Sequence, residues 1–101
     1  MREIKEVAGY INDEVDGVLE YAKAALFYKD KWPSLAATYN KLATTELQHV
    51  QLLHAEAAKL IQSVENKNVQ YPQSMRDTWD RQHKAAIEKM AEAKKYLEMF
   101  K

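Results

Sequence analysis

At 101 residues and 11.7 kDa the chain has room for one hydrophobic core, and it reads as a single domain over residues 1–101. Fifteen basic residues balance fifteen acidic ones, so no net cationic field favours nucleic acid or an anionic membrane surface as a partner. There is no cysteine, which removes disulfides, thiolate metal sites and a thiol nucleophile and leaves imidazole and carboxylate as the groups for metal binding or acid–base chemistry.

The stretch Met1–Glu6 carries acids and no apolar run, unlike a signal peptide or a membrane span, and the expectation is a cytoplasmic protein. Only two Gly and two Pro, with abundant Ala, Leu, Glu, Lys and Gln and no alternating β-branched runs, predict an all-α fold. A first helix is expected over about residues 3–29. Its apolar residues, among them Ile4, Val7, Ile11, Val15, Val18, Ala22 and Leu26, spread over roughly half the cylinder at about 100° per residue, wider than one helix contact needs. Glu14 stands among them, flanked by Val7, Ile11, Val18, Tyr21, Ala25 and Tyr28, whereas Asp16 and Glu20 point elsewhere. Gly17, one turn later, costs up to about 1 kcal/mol relative to Ala in a helix, which suggests a close approach of a helix or ligand there or a tolerated glycine.

Pro33 suits the first turn of a second helix, expected over about 33–65 after a turn at Asp30–Trp32. Leu35, Tyr39, Leu42, Ala43, Val50, Leu53, Ala57, Leu60 and Val64 form its apolar face, and Glu46 projects near the centre of that face. A bare charge there costs several kcal/mol, so Glu46 is expected to be buried and paired. His49 follows at the next turn, so Glu46-Leu47-Gln48-His49 is an E-x-x-H motif.

A second break runs from Asn66 through Pro72, and Ser74 with Asp77 resembles a capping box that opens a third helix over about 74–100. Trp79, His83, Ala86, Ile87, Met90, Leu97 and Phe100 form its apolar stripe, with Asp80 three residues before His83. Acid and histidine at i, i+3 is the helical spacing that carboxylate-bridged di-metal sites use. The competing reading of both pairs is a boundary histidine whose ring a nearby acid fixes by hydrogen bonding. Short connections predict three long helices in an antiparallel bundle. The broad apolar arc of the first predicts that a second copy completes the bundle as a homodimer or higher oligomer; long surface side chains covering the excess are the alternative.

These residues resemble the ferritin-like superfamily, and within it the rubrerythrin-type branch. Glu14 is followed seven residues later by Tyr21 and the small residues Ala22, Ala24 and Ala25; Glu46-x-x-His49 comes 32 positions after Glu14; and Asp80-x-x-His83 stands where the last helix of the family repeats its acid–histidine motif. The resemblance implies a di-iron or di-manganese cofactor held by Glu14, Glu46, His49, Asp80 and His83. Glu46 would bridge, His49 would end one metal, and Asp80 with His83 the other. It further implies a ferroxidase or peroxidase-type reaction in which Fe(II) is oxidised by O₂ or peroxide. The chain departs from the family in having three helices rather than four, Asp for Glu in the last motif, one bridging carboxylate too few, and no cysteine-ligated iron domain. Glu56, contributed by a second subunit, is one candidate for the missing ligand. The rival reading is a degenerate ferritin-like scaffold that self-assembles or binds a small polar ligand without redox chemistry; Arg76 and Lys94 beside the third stripe would serve such a ligand, or simply extend over it to water.

Overall fold

A computed structural model describes residues 2–66 and 73–101, which form three helices: α1 (Arg2–Tyr28), α2 (Pro33–Asn66) and α3 (Gln73–Phe100), with no strand among the described residues. No helix is long and apolar enough to cross a membrane among the described residues. The boundary at Pro33 follows from its chemistry. Proline lacks the N–H that a first-turn residue cannot use inside its own helix, and its fixed φ is already helical. The turn before it is closed by backbone hydrogen bonds: Trp32 N–H donates to the Tyr28 carbonyl at 2.8 Å and Ala36 N–H to the Trp32 carbonyl at 2.9 Å.

The break expected from Asn66 to Pro72 falls mostly on residues 67–72, outside the described residues. The capping box expected at its far side is not formed. Because α3 begins at Gln73, Ser74 already lies inside the helix, and the Asp77 carboxylate accepts from the Gln73 side-chain amide at 2.9 Å.

The helices pack on a heptad seam. Ile4, Ala8, Ile11, Val15, Val18, Ala22 and Ala25 of α1 are buried at alternating spacings of four and three, the period at which a helix keeps one face against a neighbour. On α2 the buried residues Ala36, Ala43, Ala57 and Val64 fall on one heptad register, and on α3 Ala86 and Ala93 are seven apart. Alanine at so many of these places lets helix axes come close, with Val7, Val50, Leu53, Trp79 and Met90 filling the margins around Ile11, Val15, Ala57 and Ala86. Cross-helix pairs give the directions. Tyr28 meets Tyr39 and Glu14 meets His49, so α2 runs opposite to α1. Asp16 meets Lys89 and the Lys29 ammonium meets the Met99 carbonyl, so α3 runs along with α1. The wide apolar arc of α1 is thus divided between two neighbours: α1 packs extensively against both α2 and α3, which meet one another chiefly through side chains. The result is a rod of about 55 × 19 × 18 Å.

Three expected core positions face water. Leu35 and Leu42 on α2 and Ile87 on α3 are exposed, Ile87 by 57%. A helix read at 100° per residue drifts about 20° per heptad from a seam that repeats every seven residues, and over helices this long the drift moves whole residues off the stripe. Leu35 and Leu42 sit one position before the buried Ala36 and Ala43, at the edge of the seam rather than in it.

Two substitutions test this packing. Ala57 is fully buried in the cluster where all three helices meet, so Ala57→Leu should overpack it and lower unfolding stability in urea by about 1–3 kcal/mol. Gly9 has open space where a Cβ would stand, so Gly9→Ala should raise stability by roughly 0.5–1 kcal/mol in the same assay.

Candidate metal centre

α1 and α2 bring three of the five expected ligands together. One donor atom from each of Glu14, Glu46 and His49 lies within 4.8 Å of the other two. His49 Nδ1 is 3.4 Å from Glu14 Oε2 and 3.8 Å from Glu46 Oε2. The local reasons are helical. Glu46 occupies a seam position on α2, three residues after Ala43 and four before Val50, so it projects at α1. His49, one turn on, follows it toward the same side. Across from them Glu14 lies on the flank of α1 that meets α2, whereas Asp16, two residues on, reaches the other way to Lys89 of α3.

The separations carry chemical meaning. Charge-assisted N–H···O bonds settle at about 2.7–2.9 Å, so neither contact of His49 is closed into a tight pair. Nitrogen and oxygen ligands that sit about 2.0–2.2 Å from one cation are roughly 3–3.5 Å from each other, close to what these atoms show and within a small side-chain adjustment of it. The group is also accessible. The side chains of Glu14 and Glu46 are 30% and 25% exposed and that of His49 is 47% exposed, so Glu46 is half-buried rather than enclosed as its place in the seam led us to expect. An ion pair this open to water contributes at most about 1 kcal/mol.

Gly17 lies directly under Glu46. A Cβ built at Gly17 would be 3.5 Å from the Glu46 carboxylate carbon and from Oε2, an ordinary van der Waals distance. The close approach expected at this glycine is real, since the carboxylate rests on the α1 backbone there, but an alanine also fits.

Along the α1–α2 seam beyond the three residues runs a series of aromatic rings: Tyr39 stacks between Tyr21 and Tyr28 with centroids 6.1 Å apart on each side. Tyr21 and Tyr28 follow Glu14 at seven and fourteen residues, and Tyr39 precedes Glu46 by seven, so the rings continue the same flank along the rod.

Asp80 and His83 are elsewhere. Among the described residues only Glu14, Glu46 and His49 form a group able to hold a metal through three such side chains. Asp80 is exposed on α3. His83 stacks between Trp79 and His54, with ring centroids 5.4 and 5.2 Å away, on the side of the rod where α2 meets α3. The five residues therefore do not surround one point. Glu56, the candidate extra ligand, is exposed and paired with Lys59 at 3.1 Å. His54 was not singled out in the sequence because it lies off the apolar face of α2. Reading α2 in heptads would have flagged it, since Leu47, His54 and Ile61 share one register beside the seam.

Because the Gly17 Cβ position meets Glu46 only at ordinary contact distance, Gly17→Ala should gain up to about 1 kcal/mol of stability, read by thermal or urea unfolding, and should leave metal affinity unchanged. Loss of stability would show that the carboxylate needs the bare backbone. No protein-family model, no curated protein and no solved structure matches this chain.

Proposed function

We propose that the chain is a ferritin-like metal-binding protein in which Glu14, Glu46 and His49 hold iron or manganese. The observation that carries this reading is the meeting of a glutamate from one helix with both members of an E-x-x-H motif from the next. Carboxylate oxygen together with imidazole suits Fe(II) or Mn(II), whereas Mg²⁺ favours an all-oxygen, largely hydrated shell. The ion also answers the electrostatic problem, because two carboxylates that repel at a helix seam become favourable once they share a cation.

Three protein ligands are half of what a carboxylate di-metal site in a helical bundle requires. That site draws a glutamate from each of two helices and a Glu-x-x-His pair from each of two others, four carboxylates and two histidines in all. One chain supplies one glutamate and one such pair, and two chains related by a twofold axis supply the whole set. The surroundings of the group favour this arrangement. α3 lies against the flank of α1 that carries Asp16 and Lys23, not the flank that carries Glu14. Leu35 and Leu42, both exposed, stand fourteen and seven residues before His49 on one edge of α2, apolar surface beside the ligands that a second α1–α2 pair would cover. Asp80 and His83 are then not needed as ligands. In the assembled site the metal would supply the redox chemistry, with Fe(II) as substrate and O₂ or peroxide as oxidant. The chain's part is to fix the ligand geometry and to leave, through the open edge at His49, a path for ions.

A scaffold without redox chemistry is the second reading. The observation that favours it is exposed Phe27 and Met99, apolar surface away from the metal ligands that an interaction protein would use. Melting curves separate the two. Under the metal reading Fe(II), kept anaerobic, or Mn(II) raises the melting temperature of the wild-type chain by selective binding to the folded state, by about 2.7 kcal/mol of added stability at a hundredfold excess over Kd. Glu46→Ala abolishes that gain and leaves the metal-free protein equally stable or more so, because it removes one of two opposed carboxylates. Under the scaffold reading neither metal moves either curve, and Glu46→Ala lowers the stability of the metal-free protein by roughly 1–3 kcal/mol through loss of its contacts.

A further inference from the structure

The second acid–histidine motif is left without a role by the site on α1 and α2, and its histidine has a partner that the motif did not announce. His54 of α2 and His83 of α3 face one another with ring centroids 5.2 Å apart and planes 27° from parallel. Both line one cavity of about 280 Å³, with Ala58, Ile61, Gln62 and Trp79 as its other walls. We infer that His54 and His83 form a second, separate metal site, a two-imidazole clamp for a borderline divalent ion such as Zn²⁺ that ties α2 to α3.

Three observations support the clamp. The separation is right: two imidazoles bound to one tetrahedral ion at Zn–N of about 2.0–2.1 Å have ring centres roughly 5 Å apart. The rings need only turn about their Cβ–Cγ bonds to bring a nitrogen of each toward a common point. Room for that turn exists, because His54 is exposed and the cavity opens beside both rings. Water would complete the coordination, since the cavity beside both rings opens to solvent. The donor set differs from that at Glu14 and Glu46. Imidazole as the main ligand selects Zn²⁺, Ni²⁺ or Cu²⁺ over the ions that prefer carboxylate, so the two sites of one chain discriminate between metals. The clamp would also act where the fold is least braced, because α2 and α3 meet chiefly through side chains.

The experiment is a calorimetric titration of the full-length chain with Zn²⁺ in a Glu46→Gln background, which disables the other centre. The expected result is one zinc ion per chain, with His54→Gln and His83→Gln each weakening binding by at least roughly tenfold. Zinc should raise the melting temperature of the Glu46→Gln protein, and His54→Gln should remove that rise while leaving the zinc-free melting curve in place, since the His54 side chain is exposed. His83→Gln could loosen α3 by removing the stack on Trp79, so His54→Gln carries the decision. No zinc binding in the Glu46→Gln background, or binding that His54→Gln leaves unchanged, overturns the proposal. Because Glu46 is already replaced, neither outcome bears on whether Glu14, Glu46 and His49 hold iron.

Discussion

A carboxylate at the seam between two helices needs compensation from water, from a cation on a neighbouring side chain, or from a bound ion. Glu46 stands at such a place, between Ala43 and Val50 on the face of α2 that meets α1. Water reaches it only in part, and its described neighbours are a second carboxylate, that of Glu14, and an imidazole 3.8 Å away. No lysine or arginine is described in contact with either acid. The compensation that fits this set best is a divalent cation, and the account of the protein's function grows from that one electrostatic constraint.

The rest of the fold determines how the constraint can be met. With α1 holding α2 on one flank and α3 on the other, a rod only about 18–19 Å thick leaves the Glu14 flank without a third helix over it. Under the proposed function, a twofold copy would supply ligands as well as surface on that flank. The alanines of the seam contribute to the same end. Small side chains draw α1 and α2 close, and close axes are what allow short acidic side chains from two helices to reach one point.

Much of this was legible in the sequence. Pro33 marked the start of α2 because a first-turn proline has a physical reason to be there, and Glu46 stood out because a charge among apolar residues at helical spacing demands an explanation. Glu14 stood out among the apolar residues of α1 as Glu46 did on α2, but their joining with His49 was implied only by the family resemblance. What spacing could not convey was the side of the rod on which a motif ends up. Asp80 and His83 lie one turn apart on α3 as read, but i, i+3 spacing describes only a helix's own surface and says nothing of its rotation about a neighbour. That rotation turned His83 toward His54 instead. Leu35, Leu42 and Ile87 were misplaced for a related reason, since a straight 3.6-residue period loses registry with a seam that repeats every seven residues.

The most direct test of the central claim is native mass spectrometry of the chain purified without metal and then loaded with Mn(II). The account predicts that loading converts the protein to dimers, or to multiples of dimers, that carry two metal ions per pair of chains, and that Glu46→Ala yields no metal-loaded species. A metal-free spectrum that loading leaves unchanged, or metal retained in full by Glu46→Ala, would contradict it.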